Sequence, residues 1–258
     1  MVFDWLRARR RKRLLASRPI PDRFFETVAA GIAVLREVEP DRRRGLYDAA
    51  TLFLHEKRFE GCGGLELTAE LRCAIALQAC LLVLGLPVGV DAFAAVRTVL
   101  VYPEGFTARR RDEDEFGIVT EGHEELLGEA WDEGQVVLNA HDVVDGGAVR
   151  DGFNLVLHEF AHQLDMASGE DDGVPPLPAG MDRQEFAQVL ADAAAALDAA
   201  DARGEETAVD PYAADSPAEA FAVFTEAFFE IPDLLAEEFP EVHARLAAFY
   251  RQLEADPR

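Results

Sequence analysis

Residues 154–165, NLVLHEFAHQLD, set His158 and His162 four apart, with Glu159 directly after the first. On an α-helix, positions four apart share one face about 6 Å apart along the axis, so both imidazoles can converge on one ion. Zinc–nitrogen bonds of roughly 2.0–2.1 Å set the scale of that convergence. Glu159 is rotated about 100° from His158, so it flanks the pair instead of joining it. That is the place for a base acting on water activated by a metal. With six histidines in the chain, a chance H-E-x-x-H arises on the order of once in a hundred such sequences. Context sharpens the reading: FNLVL precedes His158, and Phe160, Ala161 and Leu164 continue the apolar character. Two histidines and a glutamate in such a helix are costly to bury without partners, and a metal supplies one.

A catalytic zinc needs a third protein ligand and one open position. The extended H-x-x-G-x-x-H pattern fails, because Asp165 stands at its glycine and Ser168 at its last ligand. Asp165 is placed to position a histidine, cap the helix or face solvent. The later segment DSPAEAFAVFTEAFFEIP is mostly apolar, yet Glu219, Glu226 and Glu230 fall within about 20° of Glu219 on a helical wheel. That line faces water or carries a ligand. Ser216-Pro217-Ala218-Glu219 also fits a capping box, in which Glu219 only binds backbone N–H. From the residues alone, Glu219 is a ligand or a cap, and Glu226 is its rival.

The net charge of −24 is uneven. Residues 1–18 hold seven basic residues against Asp4, a local charge of +6, so the rest carries −30. An acidic body repels phosphate, which excludes nucleic-acid binding by the main fold. The start, MVFDWLRARRRKRLLASRPIP, lacks the apolar run and cleavage site of a secretory signal. It reads as a solvated basic tail or an amphipathic helix, with Trp5, Leu6, Leu14 and Leu15 as its apolar contacts. CAIALQACLLVLGLPVGV (73–90) is barely long enough to span a membrane, and Gln78, Gly85 and Pro87 interrupt it. With Thr68 as N-cap it reads as a buried core helix. Cys62, Cys73 and Cys80 form no C-x-x-C pair, which argues against a disulfide framework. A cytoplasmic protein without a transmembrane segment is the expectation.

Three helical pieces are predicted over 22–85, from DRFFETVAAGIAVLREV, RRRGLYDAATLFLHEKRF and Thr68–Leu84. The segments FAAVRTVLVYP, FGIVT and QVVLNAHDVV are short and β-branched, and read as strands. Helical patterns return at 152–167, 183–202 and 217–230, and again from Pro240. The expected class is α+β. A basic tail (1–18) and a helical N-terminal subdomain (19–90) precede a catalytic region (91–258) with a small, mostly antiparallel sheet; alternatively, 19–258 is one continuous domain. QVVLNA (135–140) is a candidate sheet edge for an extended peptide, or else an interior strand or a structurally blunted edge. His141 follows it, near the cleft or as a surface or core histidine.

HEFAHQLDMASGEDDGVPPLP, with the later DPYAADSPAEAFAVFTEAFF, strongly resembles the Mlc titration factor A family of bacterial zinc metallopeptidases. VYPEGF and GQVVLNAHDVV are similar to that family too, and the likeness runs from about residue 20 to 250. The resemblance implies one zinc per chain, held by His158, His162 and Glu219, with Glu159 as catalytic base. It implies a place near the metal for Tyr212, whose phenol can stabilise an oxyanion. It also implies a zincin-type catalytic fold similar to the anthrax lethal factor protease domain, and aminopeptidase-like hydrolysis of small peptides. The alternative it carries is a regulator that binds a transcriptional repressor, with a weak or latent zinc site.

Overall fold

The structure is a computed structural model that describes residues 2–103 and 134–250. Its N-terminal part runs through α1 (Val2–Ser17), α2 (Asp22–Ala29), α3 (Ala33–Arg36) and α4 (Pro40–Glu56) to strand β1 (Arg58–Gly61) and helix α5 (Ala69–Val83). The basic start is helical and docked. Arg11 reaches Glu56 at 2.6 Å and Asp91 at 2.8 Å, and Arg7 reaches the same two acids at 3.2 and 2.8 Å. α1 thereby returns positive charge to an acidic body, with Trp5 and Leu6 still exposed. α5 starts on Thr68, whose hydroxyl accepts from Leu71 N–H at 3.1 Å. It is buried continuously from Cys73 to Val83, as its apolar sequence requires. No helix among the described residues is long and apolar enough to cross a membrane.

β2 (Thr98–Tyr102) and β3 (Gln135–Asn139) complete a three-stranded sheet in the order β1-β2-β3. Both pairings are parallel, with Arg58 opposite Thr98 and Thr98 opposite Gln135. The expectation of a mostly antiparallel sheet is therefore wrong among the described residues. The physical reason lies in β1, hidden at the end of a helical pattern as the run RFEG. Parallel neighbours need a long crossover, and α5 fills the one between β1 and β2. Alternation itself was legible: Val99, Val101, Val136 and Leu138 all turn inward. One other expectation shifts. The strand pattern in AHDVV gives way to helix α6 (Ala140–Asp145), capped by Asn139, whose side chain accepts from Asp142 N–H at 2.7 Å. FGIVT (116–120) lies outside the described residues. Gly134 opens β3 with φ +71°, and a Cβ there would meet the Ala95 carbonyl oxygen at 2.4 Å, so only glycine fits.

Helix α7 (Leu155–Asp165) carries the HEFAH run and is buried along its whole length. It packs chiefly on α9 (Pro217–Glu230) and also on α5 and β3. Phe160 anchors it, with ring centroids 5.5 Å from Phe53 and 5.0 Å from Phe93, both edge-on. Truncating so buried a ring costs about 3–5 kcal/mol. α8 (Arg183–Asp201), α10 (Pro232–Glu238) and α11 (Pro240–Tyr250) close around α9, where Phe186, Phe221 and Phe249 form an aromatic cluster. The class is helical with a small parallel sheet, and its two most buried polar helices are α7 and α9.

Candidate metal centre

Asn154 begins α7 as its N-cap, accepting from Leu157 N–H at 3.1 Å. From that start, helical geometry sets His158 and His162 on one face, and their Nε2 atoms stand 3.2 Å apart. α9 begins on Ser216, whose hydroxyl accepts from Glu219 N–H at 3.1 Å, with Pro217 at the first helical position. Half of the expected capping box thus forms. The Glu219 carboxylate does not turn back to the cap. It faces the histidines, Oε2 at 3.2 Å from His158 Nε2 and Oε1 at 3.6 Å from His162 Nε2.

Those three residues are the group of donors, among the described residues, that could hold a metal ion, all within 4.8 Å of one another. The separations provide a fit test. A tetrahedral ion with bonds of about 2.0–2.1 Å spaces its donors about 3.3–3.4 Å apart. The two Nε2 atoms stand 3.2 Å apart, and the Glu219 carboxylate approaches them near that spacing, through Oε2 at 3.2 Å from His158 and through Oε1 at 3.6 Å from His162. Two imidazoles and a carboxylate are also the donor types such an ion takes. The residues fit.

Glu159 is 7% exposed and next to His158 in the chain, and it is not one of the three donors. Burial pushes its carboxyl above the usual carboxylate range, although both histidines oppose the rise. Burial alone would lower the His158 pKa, but Glu226 and Glu219 outweigh it and hold the ring well above its ordinary value. Glu219 shifts the other way: burial opposes ionisation, and the two histidines hold the carboxyl below the usual range. Tyr212 sits in the turn Pro211–Ala214, its N–H bonded to the Asp210 carboxylate at 3.0 Å. Its ring lies 6.4 Å from that of His158, tilted by 25°. Burial, then the Glu219 charge, raises the phenol pKa.

Four other residues need placing. Asp165 is fully buried and accepts from Gly173 N–H at 2.7 Å, so it ties the GVPP loop to the end of α7 and stands apart from the donor group. Burial raises its pKa to about 6. His141 is exposed on α6 and does not join the donors. The line of glutamates on α9 does not face water, since Glu226 and Glu230 are 3% and 1% exposed. Glu226 is not among the three donors either. Its Oε1 lies 2.7 Å from His158 Nδ1, and its Oε2 accepts from Asn154 N–H at 2.6 Å. Sequence reasoning missed Asn154, although an asparagine opening an apolar run is an N-cap signal.

An HExxH helix that meets a glutamate from a second buried helix has the pattern of a metallopeptidase. The chain belongs to the family described as glucose-regulated metallo-peptidase M90, whose model matches residues 6–251. It is 40% identical over 230 residues to Mlc titration factor A of Klebsiella pneumoniae strain 342, covering 87% of this chain and 84% of that one. Against Mlc titration factor A of Escherichia fergusonii it is 38% identical, with the same coverage. It is also 34% identical over 250 residues to an uncharacterized protein of Synechocystis, covering 96% of this chain and 88% of the other.

Proposed function

We propose that this protein is a zinc-dependent peptidase, aminopeptidase-like on small peptides, with His158, His162 and Glu219 as the metal ligands. The observation that carries the reading is the convergence of those three side chains from two helices, beside Glu159. Bound there, zinc would polarise a water molecule and the scissile carbonyl and lower the pKa of that water towards neutrality. Glu159 takes the proton that the attacking water gives up as its oxygen bonds to the carbonyl carbon. It then delivers that proton to the amine nitrogen as the carbon–nitrogen bond breaks. Tyr212, whose ring lies beside that of His158, donates to the oxyanion. Strand β3, an edge among the described residues, pairs with the extended peptide. The contact of α7 with α5 supports treating 19–258 as one working unit.

A second reading, regulation by binding a transcriptional repressor, is favoured by the name Mlc titration factor A that relatives carry. Zinc stoichiometry and cleavage of a fluorogenic peptide panel separate the two. One zinc per chain, lost together with cleavage in Glu219→Ala, is the expected result. Zinc retained in Glu219→Ala reduces that residue to a cap. Zinc bound without cleavage of any peptide shifts the weight to the regulator.

A further inference from the structure

His158 offers two ring nitrogens, and only one can face the donor triangle. Which one does so depends on what holds the other. His158 Nδ1 lies 2.7 Å from Glu226 Oε1, and a carboxylate oxygen only accepts, so Nδ1 carries the hydrogen. Nε2 is then the nitrogen that faces His162 and Glu219 and would offer its lone pair to a metal there. Glu226 is itself held: its other oxygen takes the Asn154 N–H at 2.6 Å. Asn154 is fixed in turn from three elements. Its Nδ2 donates to Gln78 Oε1 on α5 and to Glu230 Oε1 on α9, each at 2.9 Å, and its Oδ1 caps α7. All five residues in this chain of contacts are at most 9% exposed.

We infer that Glu226 is a positioning residue that fixes the tautomer and ring angle of His158, and that Asn154 aims Glu226. This rests on the reading of His158 as a metal ligand. One helix, α9, then supplies both the third donor and the support of the first. A short charge-assisted hydrogen bond on a buried imidazole fixes both its rotation and its protonated nitrogen. Glu226 accepts two donors through two oxygens. Glutamine keeps the shape but presents an NH2 to one of those donors, which mis-sets the ring without emptying the site.

The test uses the full chain, stripped with a chelator and reloaded with Zn²⁺ or Co²⁺. In the zinc-loaded wild type, nitrogen-15 NMR of the imidazoles should show His158 protonated at Nδ1 and coordinated through Nε2. Glu226→Gln should weaken metal binding about 10–100-fold. Its Co²⁺ absorption should keep the wild-type donor number, which Glu219→Ala should lose. Glu226→Asp should recover part of the affinity. Wild-type affinity in Glu226→Gln, with binding abolished in His158→Ala, overturns the positioning role alone. A Co²⁺ spectrum of Glu226→Gln with one donor missing also overturns it, by making Glu226 a ligand. If His158→Ala binds the ion like wild type, the metal reading and this inference fall together. Should Glu226→Gln not fold, the wild-type NMR decides: His158 coordinated through Nδ1 overturns the inference.

Discussion

Carboxylates meet cationic or polar partners in two regions of this molecule, with opposite consequences. Along α1, Arg7 and Arg11 bridge to Glu56 and Asp91 at the surface, where Asp91 keeps 45% of its side chain exposed. Between α7 and α9, Glu226, Glu230, Asn154 and His158 are buried and every distance is tight. Water screens the first set, so each ion pair is worth little and any one can be lost. In the second, a missing partner leaves a buried group without solvation, so the contacts stand or fall together. The surface set attaches a helix. The buried set specifies a geometry.

The largest effect expected is chemical. Glu159→Gln should cut peptide turnover about 10²–10⁴-fold while metal content stays at the wild-type level, measured by elemental analysis alongside the assay. Loss of metal in that variant would move Glu159 from base to structural support.

Next comes the pH response of Glu230, whose pKa burial raises from 4.5 to about 7. Between those values the folded chain keeps a proton that the unfolded chain has released. Stability therefore falls as pH rises through that window, and the loss is complete above about 7. The loss is at most on the order of 3 kcal/mol. Glu230→Gln should remove that slope, so urea titrations at pH 5 and pH 8 should converge for the variant and diverge for wild type. Parallel slopes would mean that the buried cluster tolerates the charge as readily as the surface does.

Gly173 tests how closely the site is packed. Its φ is +77°, and a Cβ there would lie 2.1 Å from the Pro217 carbonyl oxygen, two residues before Glu219. Gly173→Ala should destabilise the fold by about 1–3 kcal/mol and weaken metal binding, read by thermal melting and metal titration. The smallest effect belongs to the surface. Arg11→Ala should cost under about 1 kcal/mol and less still in high salt. Arg11 holds the Glu56 carboxyl down to about 2, so the attachment of α1 holds above pH 4.5 and is lost as pH falls through 2. Amide exchange in α1 should rise there while α7 stays protected.

What the chain declared in advance follows the same division. The HEFAH spacing, the Ser216 cap and the start of α9 were legible, because local pattern and local chemistry determine them. β1 was not: four residues at the end of a helical pattern pair only because α5 carries the chain back over the sheet. Glu226 was visible as a rival ligand but not as the partner of His158 Nδ1. Alanines and phenylalanines surround α9, so its sequence marks no outer face. Which side of the glutamate line meets α7 depends on tertiary packing.

The alignment of Glu219, Glu226 and Glu230 on one helix gives α9 the character of a comb with fixed teeth. Substitutions between the teeth alter size or polarity and leave the spacing intact. Deleting a single residue between Glu219 and Glu226 would turn one against the other by about 100° and slide it about 1.5 Å along the axis. No side-chain rotation on α7 could follow both teeth at once. Length variation should therefore be confined to the connections outside α9, where a loop can absorb an added residue without moving the comb.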